Sequence, residues 1–248
     1  MTESNPRSTP GIAGALYGVY AWLIFIIFVI CAVFCAVLVP GMRRRRRMVS
    51  FCARMPLGLA GVSIDVRGME KIPSGDCVVV ANHASYIDGV LLQGHLSPKF
   101  SFVIKGEMKN FPLMGYLLRR VGSRFVERFE ASGSVRDARH LLRAASAGES
   151  MVVFPEGTFI EEAGLGRFRS GAFAAAIKAG VPVVPVVISG SRRILPAGKI
   201  LPRHGHLRID VLNPIDPSDE SFSNSKTLAE RARQEILQVL EEPDLLKR

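Results

Sequence analysis

Residues 77–88 read Cys-Val-Val-Val-Ala-Asn-His-Ala-Ser-Tyr-Ile-Asp. The first five are apolar without alternation, as a strand covered on both faces requires. The chain then turns polar within two residues, so the strand stops at Asn82 and His83. Met151-Val-Val-Phe154 and Val183-Val-Pro-Val-Val-Ile188 repeat the same double-sided apolar pattern. Strands are expected at Ser63–Val66, Cys77–Ala81, Ser101–Ile104, Ser150–Phe154, Val183–Ile188 and Leu207–Val211. Helical spacing falls between them, at Gly89–Leu96, Met114–Arg120, Ser134–Ala147, Gly171–Ala179 and Lys226–Leu240. This alternation predicts an α/β domain, a mixed, mostly parallel sheet flanked by helices. Residues 213–225, rich in Pro, Asp and Ser, read as a loop. In the last helix Glu230, Arg231, Arg233 and Glu235 read as a solvated amphipathic face.

The 248 residues are 48% hydrophobic and 22% charged, a globular composition large enough for a core without staples. The formal charge is +10, but Arg43–Arg47 are consecutive and supply half of that excess. A basic balance concentrated in one run gives no reason to expect nucleic acid as a partner. Four cysteines are too few for a secreted disulfide scaffold, and no Cys/His spacing reads as a metal site.

From Ile12 to Val39 the chain carries no charge. As a helix this run reaches about 42 Å, more than a bilayer's hydrocarbon core of about 30 Å. Tyr17, Tyr20 and Trp22 lie toward one end and the arginine run follows the other. The charges come after the apolar run, which is also too long for a cleaved signal peptide. Residues 1–62 are therefore expected to form an N-terminal membrane anchor, with an apolar helix over 12–39 and the arginine run at 43–47. Residues 63–248 form the α/β domain. The positive bias predicts an inner-membrane protein with residues 63–248 on the cytoplasmic side. Two arrangements fit. The helix spans once with its N-terminus outside, or it pairs with residues 48–62 as a monotopic anchor, its arginines at a headgroup-level bend.

Strand ends are where sites form in α/β folds. After the strand at 77–81, His83 is followed five residues on by Asp88. On a straight helix the two would lie about 140° apart, so a turn must bring them together. A carboxylate against one ring nitrogen fixes the tautomer and leaves the other nitrogen to act as a general base. The competing reading is a plain turn with Asp88 as a helix cap. Three further segments stand out. Phe154-Pro-Glu-Gly-Thr158 ends an apolar strand with a shaped loop and a carboxylate. Gly122-Ser-Arg-Phe-Val-Glu-Arg128 presents Arg124 and Arg128, and a guanidinium suits phosphate. Val181-Pro-Val-Val-Pro-Val186 carries two prolines at a strand entry.

In order and spacing these four segments resemble the lysophospholipid acyltransferase family, typified by 1-acylglycerol-3-phosphate acyltransferases. The family carries Asn-His-x4-Asp, Gly-x-x-Phe-[Ile/Val]-x-Arg, Phe-Pro-Glu-Gly-Thr and Val-Pro-[Ile/Val]-[Ile/Val]-Pro-Val, and residues 82–186 hold all four in that order. The resemblance implies catalysis by His83, oriented by Asp88. His83 would deprotonate the free hydroxyl of a lysophospholipid for attack on the thioester of acyl-CoA or acyl-carrier protein. In the type reaction 1-acyl-glycerol-3-phosphate gives phosphatidic acid, with the donor as co-substrate and no cofactor or metal. The resemblance also implies an acceptor site of Gly122, Phe125, Arg128, Glu156, Gly157 and Thr158, with Lys105 as a second cation. Many family members carry Arg after Glu-Gly-Thr, where this chain has Phe159. Arg167 or Arg169 would then replace that charge, or the acceptor is another lysolipid such as lyso-ornithine lipid. A lipid thioesterase or hydrolase using the same pair, and a non-enzymatic membrane-surface protein, are the competing functions. A hydrolase would need a nucleophile or an activated water, and the chain has no Gly-x-Ser-x-Gly elbow.

Overall fold

A computed structural model describes residues 11–126 and 148–247. Its centre is a seven-stranded sheet of β1 (Ser63–Arg67), β2 (Val78–Ala81), β3 (Ser101–Lys105), β4 (Arg124–Val126), β5 (Met151–Val153), β6 (Val183–Ser189) and β7 (His206–Val211), in the order β1-β7-β6-β2-β5-β3-β4. Strands β6, β2, β5, β3 and β4 run parallel. β7 joins β6 antiparallel, and β1 pairs parallel with β7. The expected mixed, mostly parallel sheet is present. Every residue of β2 and β5 is buried, which explains the unbroken apolar runs.

The helices are α1 (Ile12–Leu38), α2 (Met42–Leu59), α3 (Ile87–His95), α4 (Pro112–Arg120), α5 (Gly171–Ala179), α6 (Ser191–Ile194) and α7 (Ser225–Val239). One face of the sheet buries Phe173, Leu228 and Ile236 from α5 and α7. The other face buries Leu91 and Leu92 from α3 and Leu57 from α2. Full burial of each such side chain contributes about 1.5–3 kcal/mol. The helix expected over 134–147 lies outside the described residues. β4 was not among the expected strands. It has only three residues and pairs with β3 alone, so it leaves no run long enough to recognise.

The N-terminal region departs most from expectation. α1 and α2 form an antiparallel hairpin about the Pro40–Gly41 turn. The start of α1 meets the end of α2, where the Tyr17 and Tyr20 hydroxyls donate to the carbonyls of Ala60 and Leu59 at 3.0 and 3.2 Å. Ala32 and Ala36 pack with Val49 and Cys52, and with Leu117 and Val121 from the region of α4. The arginine run opens α2 instead of lying in a bend. Arg45 is buried and donates to the carbonyls of Arg120 (2.7 Å) and Val39 (3.2 Å). Arg46 donates to the carbonyls of Val121 (2.7 Å) and Lys99 (3.0 Å). Two of the five arginines therefore tie the hairpin to the body, while Arg43, Arg44 and Arg47 face outward.

α7 corrects a second reading. Arg233 does not lie on a solvated face: it is 1% exposed. Its Nε donates to the Gly166 carbonyl at 2.8 Å and its Nη2 to the Leu165 carbonyl at 3.0 Å, and it pairs with Asp244. It sits in the buried stripe of Leu228, Ala229, Ala232 and Ile236.

Candidate active site

β2 delivers its last residue to a fixed point. The Asn82 side chain grips β6 twice, donating to the Ile188 carbonyl at 2.9 Å and accepting from the Ile188 amide at 2.7 Å. The chain then turns, and α3 begins with Asp88 in its first turn. Asp88 is fully buried. Its Oδ2 accepts from the amides of Ala84 (2.7 Å) and Ser85 (2.8 Å) and lies 2.9 Å from His83 Nδ1. A carboxylate only accepts, so Nδ1 carries the hydrogen and Nε2 keeps its lone pair. The turn between them makes the pair that a continuous helix would have separated. Ser85 is no free nucleophile: its buried hydroxyl donates to the Leu195 carbonyl at 2.7 Å.

The loop after β5 brings Phe154–Thr158 alongside. Glu156 Oε1 accepts from the His83 amide at 2.8 Å and Oε2 from the Gly166 amide at 2.9 Å. Both oxygens thus hold backbone, and Glu156 fixes where His83 stands. Burial pushes its carboxyl above the usual range, against the opposing pull of the two amides and of His83 and Arg192. Gly157 has φ +87°, and a Cβ there would fall 2.8 Å from Arg169 Nε. Only glycine lets the Arg169 guanidinium lie against this loop. Thr158 is exposed beside it.

The imidazole is packed between aromatics. Phe154 stacks on His83 with ring centroids 4.2 Å apart, and Phe159 meets it edge-on at 4.6 Å. Tyr86 in turn meets Phe159 at 4.6 Å. The sequence pointed to none of these rings as partners of His83, because aromatic contact across two loops has no spacing signature. Asn82 and Gly166 were missed as well. Asn82 could have been found from its place between strand and histidine.

The other expected residues lie farther along the same carboxyl edge. Lys105 ends β3, where its Nζ is 2.8 Å from Glu107, and Phe125 in β4 pairs in register with Ile104. β4 is three strands from β2, or about 14 Å by ordinary strand spacing. Gly122 has φ +75° and lies against Arg46, so it serves the contact between the body and α2. Arg128 lies outside the described residues. The structure brings together His83, Asp88, Glu156, Gly157 and Arg169, and sets Lys105 and Phe125 apart along the edge. Among the described residues no three His, Cys, Asp or Glu side chains gather as a metal-binding set.

A buried carboxylate orienting an imidazole at the carboxyl edge of a mostly parallel sheet is the layout of a general-base enzyme. The chain belongs to the acyltransferase family, whose model matches residues 63–189, about half its length. It is 32% identical over 208 residues to the chloroplastic 1-acyl-sn-glycerol-3-phosphate acyltransferase BAT2 of Brassica napus, covering 80% of this chain and 58% of that protein. It is 33% identical over 149 residues to the lyso-ornithine lipid O-acyltransferase of Pseudomonas aeruginosa, covering 60% of this chain and 54% of that one. The chain spans little more than half the length of these curated relatives. The crystal structure of the 1-acyl-sn-glycerophosphate acyltransferase PlsC from Thermotoga maritima superposes with a TM-score of 0.73 at 25% identity, covering 92% of this chain and 98% of that one.

Proposed function

We propose that this protein transfers an acyl group from acyl-CoA or acyl-carrier protein to the free hydroxyl of a membrane lysophospholipid, with 1-acyl-glycerol-3-phosphate as acceptor and phosphatidic acid as product. The observation that carries the reading is the 2.9 Å contact between His83 Nδ1 and the buried Asp88, which frees Nε2 to take a proton. In this mechanism Nε2 removes the hydroxyl proton while the oxygen attacks the thioester carbonyl carbon. The tetrahedral intermediate collapses, the C–S bond breaks, and the departing thiolate takes the proton back from the imidazolium. Asp88 stabilises that imidazolium, and Glu156 keeps the His83 backbone in place. Arg169 is the cation for the acceptor phosphate, with Arg128 and Lys105 as further candidates. No cofactor is needed.

A second acceptor, lyso-ornithine lipid, is favoured by one observation: the residue after Thr158 that reaches His83 is apolar Phe159 and not a cation. The likeness to the Pseudomonas aeruginosa enzyme supports it.

We also read the hairpin as a monotopic anchor with the body on the cytoplasmic side. α1 is long and apolar enough to cross a membrane. Two points along it, however, touch the same body: near its middle Trp22 Nε1 donates to the Ile200 carbonyl at 2.7 Å, and near its C-terminal end Arg120 donates to the Ala36 carbonyl at 2.9 Å. A crossing helix would hold these points, about 21 Å apart along its axis, at different depths of the bilayer, whereas the body holds both at its own surface.

Labelled acyl-CoA and acyl-carrier protein, offered with lysophosphatidic acid, other lysophospholipids and lyso-ornithine lipid, test the proposal. Esterified lipid that disappears in His83→Ala is expected. Free fatty acid as the main product would make the protein a thioesterase, and no product with any acceptor would overturn the reading.

A further inference from the structure

Resting on the acyl-transfer reading above, we propose that Phe159, backed by Tyr86, is a water-excluding lid over His83 that decides whether the acyl group passes to a lipid hydroxyl or to water. A base able to take a proton from an alcohol can take one from water, whose acidity is similar. Water is also far more abundant than any lipid acceptor. Discrimination between the two must therefore come from access to Nε2, and access is set by what covers the ring.

Nδ1 is occupied by Asp88, and the His83 side chain is only 16% exposed. Phe154 stacks on it as a fixed floor, buried at the end of β5. Phe159 is the half-buried outer ring, meeting His83 at 4.6 Å and an interplanar angle of 71°. Tyr86 stands perpendicular to Phe159 at 4.6 Å and is itself 66% exposed. The exposed Ile160 extends the apolar surface outward. An acyl chain or lipid tail can lie against such a surface, whereas water finds no hydrogen-bonding atom on the Phe159 ring that meets His83. Simple packing would predict only a loss of stability on removing Phe159. A lid predicts a change in product.

The two competing reactions balance in the same way. In each, His83 takes a proton from an O–H group, a C–O bond forms at the thioester carbonyl, the C–S bond breaks and the thiol leaves protonated. With a lysolipid the product is an ester, and with water it is the free acid.

The test uses the full-length protein in phospholipid vesicles with a labelled long-chain acyl-CoA. Lysophosphatidic acid and lyso-ornithine lipid are offered in parallel, and labelled ester and labelled acid are counted together. Wild type should give mostly ester with at least one acceptor. Phe159→Ala should raise the acid-to-ester ratio about tenfold, equivalent to about 1.4 kcal/mol of discrimination. Phe159→Leu, still apolar, should stay within about 1.5-fold of wild type, below the rise expected for Tyr86→Ala. The extra acid should vanish in the Phe159→Ala, His83→Ala double variant, because it depends on the uncovered base. Tyr86→Ala alters an exposed side chain and should raise the ratio by about two- to threefold. It decides the matter if Phe159→Ala does not fold. An unchanged ratio in the folded Phe159→Ala variant, or extra acid that survives loss of His83, would overturn the lid while leaving acyl transfer standing. A wild type that forms no ester with any acceptor would overturn the acyl-transfer reading and the lid with it.

Discussion

At His83 the chemistry depends on one oxygen. Asp88 Oδ2 serves the imidazole and two backbone amides, so it fixes both the ring and the turn that presents it. His83→Ala should lower kcat by at least about a hundredfold, the usual cost of losing a general base, with circular dichroism unchanged. Asp88→Asn should lower kcat more than it raises KM, because the imidazolium loses its compensating charge. Near-normal turnover in folded His83→Ala would remove the histidine from the mechanism. Glu156 makes a different prediction. Burial keeps it protonated to higher pH in the folded chain than in the unfolded one. Between the unfolded value of about 4.3 and its own raised value the folded state binds more protons, so stability falls as pH rises. The contribution is complete below about pH 4.3 and is lost as pH climbs through the raised value. Urea unfolding of wild type and Glu156→Gln across that window should show the downward step in wild type alone. A wild-type step upward with pH would mean that the two amide donors outweigh burial. The dyad was legible because the sequence writes it as one block six residues long, His83 to Asp88. Phe159 as a partner of His83 was not, since only the fold brings the Phe154–Ile160 loop over the ring.

Elements that carry no family motif hold this site from behind. The Arg233 side chain on α7 binds the carbonyls of Leu165 and Gly166, and the Gly166 amide binds Glu156, which binds the His83 amide. The C-terminal strap closes over the same loop. Glu242 accepts from the Gly164 amide, and the Leu165 amide donates to the Pro243 carbonyl. Arg233→Met should therefore cost about 3–5 kcal/mol in urea unfolding, because it leaves the Asp244 carboxylate without its cation and the Gly166 carbonyl without its donor. The folded fraction should also lose kcat through the slackened Glu156, while Arg233→Lys should recover part of both. A loss below about 1 kcal/mol would mean that the strap holds the loop unaided. The six expected strands all appear, and β2, β5 and β6 were the plainest because burial on both faces leaves continuous apolar runs. α2 did not show itself as one helix, because its buried positions include Arg45, Val49, Ser50 and Cys52. A charged residue inside a buried stripe hides the period, and the same masking made Arg233 read as solvated. Its spacing from Ala229 and Ile236 was the available signal.

For the whole molecule, the two sides of α1 differ in kind. Gly18, Ala21, Ala32 and Ala36 are buried, small enough for the helix to lie close against its neighbours. Ile12, Leu16, Val19, Leu23, Ile27, Ile30 and Phe34 are exposed at three- to four-residue spacing, a continuous apolar stripe with no protein over it. Such a stripe, on a helix held to the body at Trp22 and Ala36, fits a helix lying in the membrane interface. Burying one Leu or Ile side chain contributes about 1.5–3 kcal/mol, so Leu23→Lys with Ile30→Lys should forfeit about 3–6 kcal/mol of membrane affinity. That is two to four decades in the partition between vesicle and solution. Flotation with vesicles should show the double variant released while its urea midpoint is unchanged, because neither side chain touches the core. Neutralising the outward Arg43, Arg44 and Arg47 to Gln should weaken attachment to anionic vesicles in low salt and have little effect above the screening range. Arg45→Gln should instead destabilise the fold in any salt, since that guanidinium binds carbonyls and not lipid. Position 3 gives the topology directly. With the four native cysteines replaced and a cysteine introduced there, an impermeant thiol reagent should label the protein only after cell lysis. Labelling in intact cells would put the N-terminus outside, make α1 a true span, and require the contacts of Trp22 and Ala36 with the body to open in the membrane.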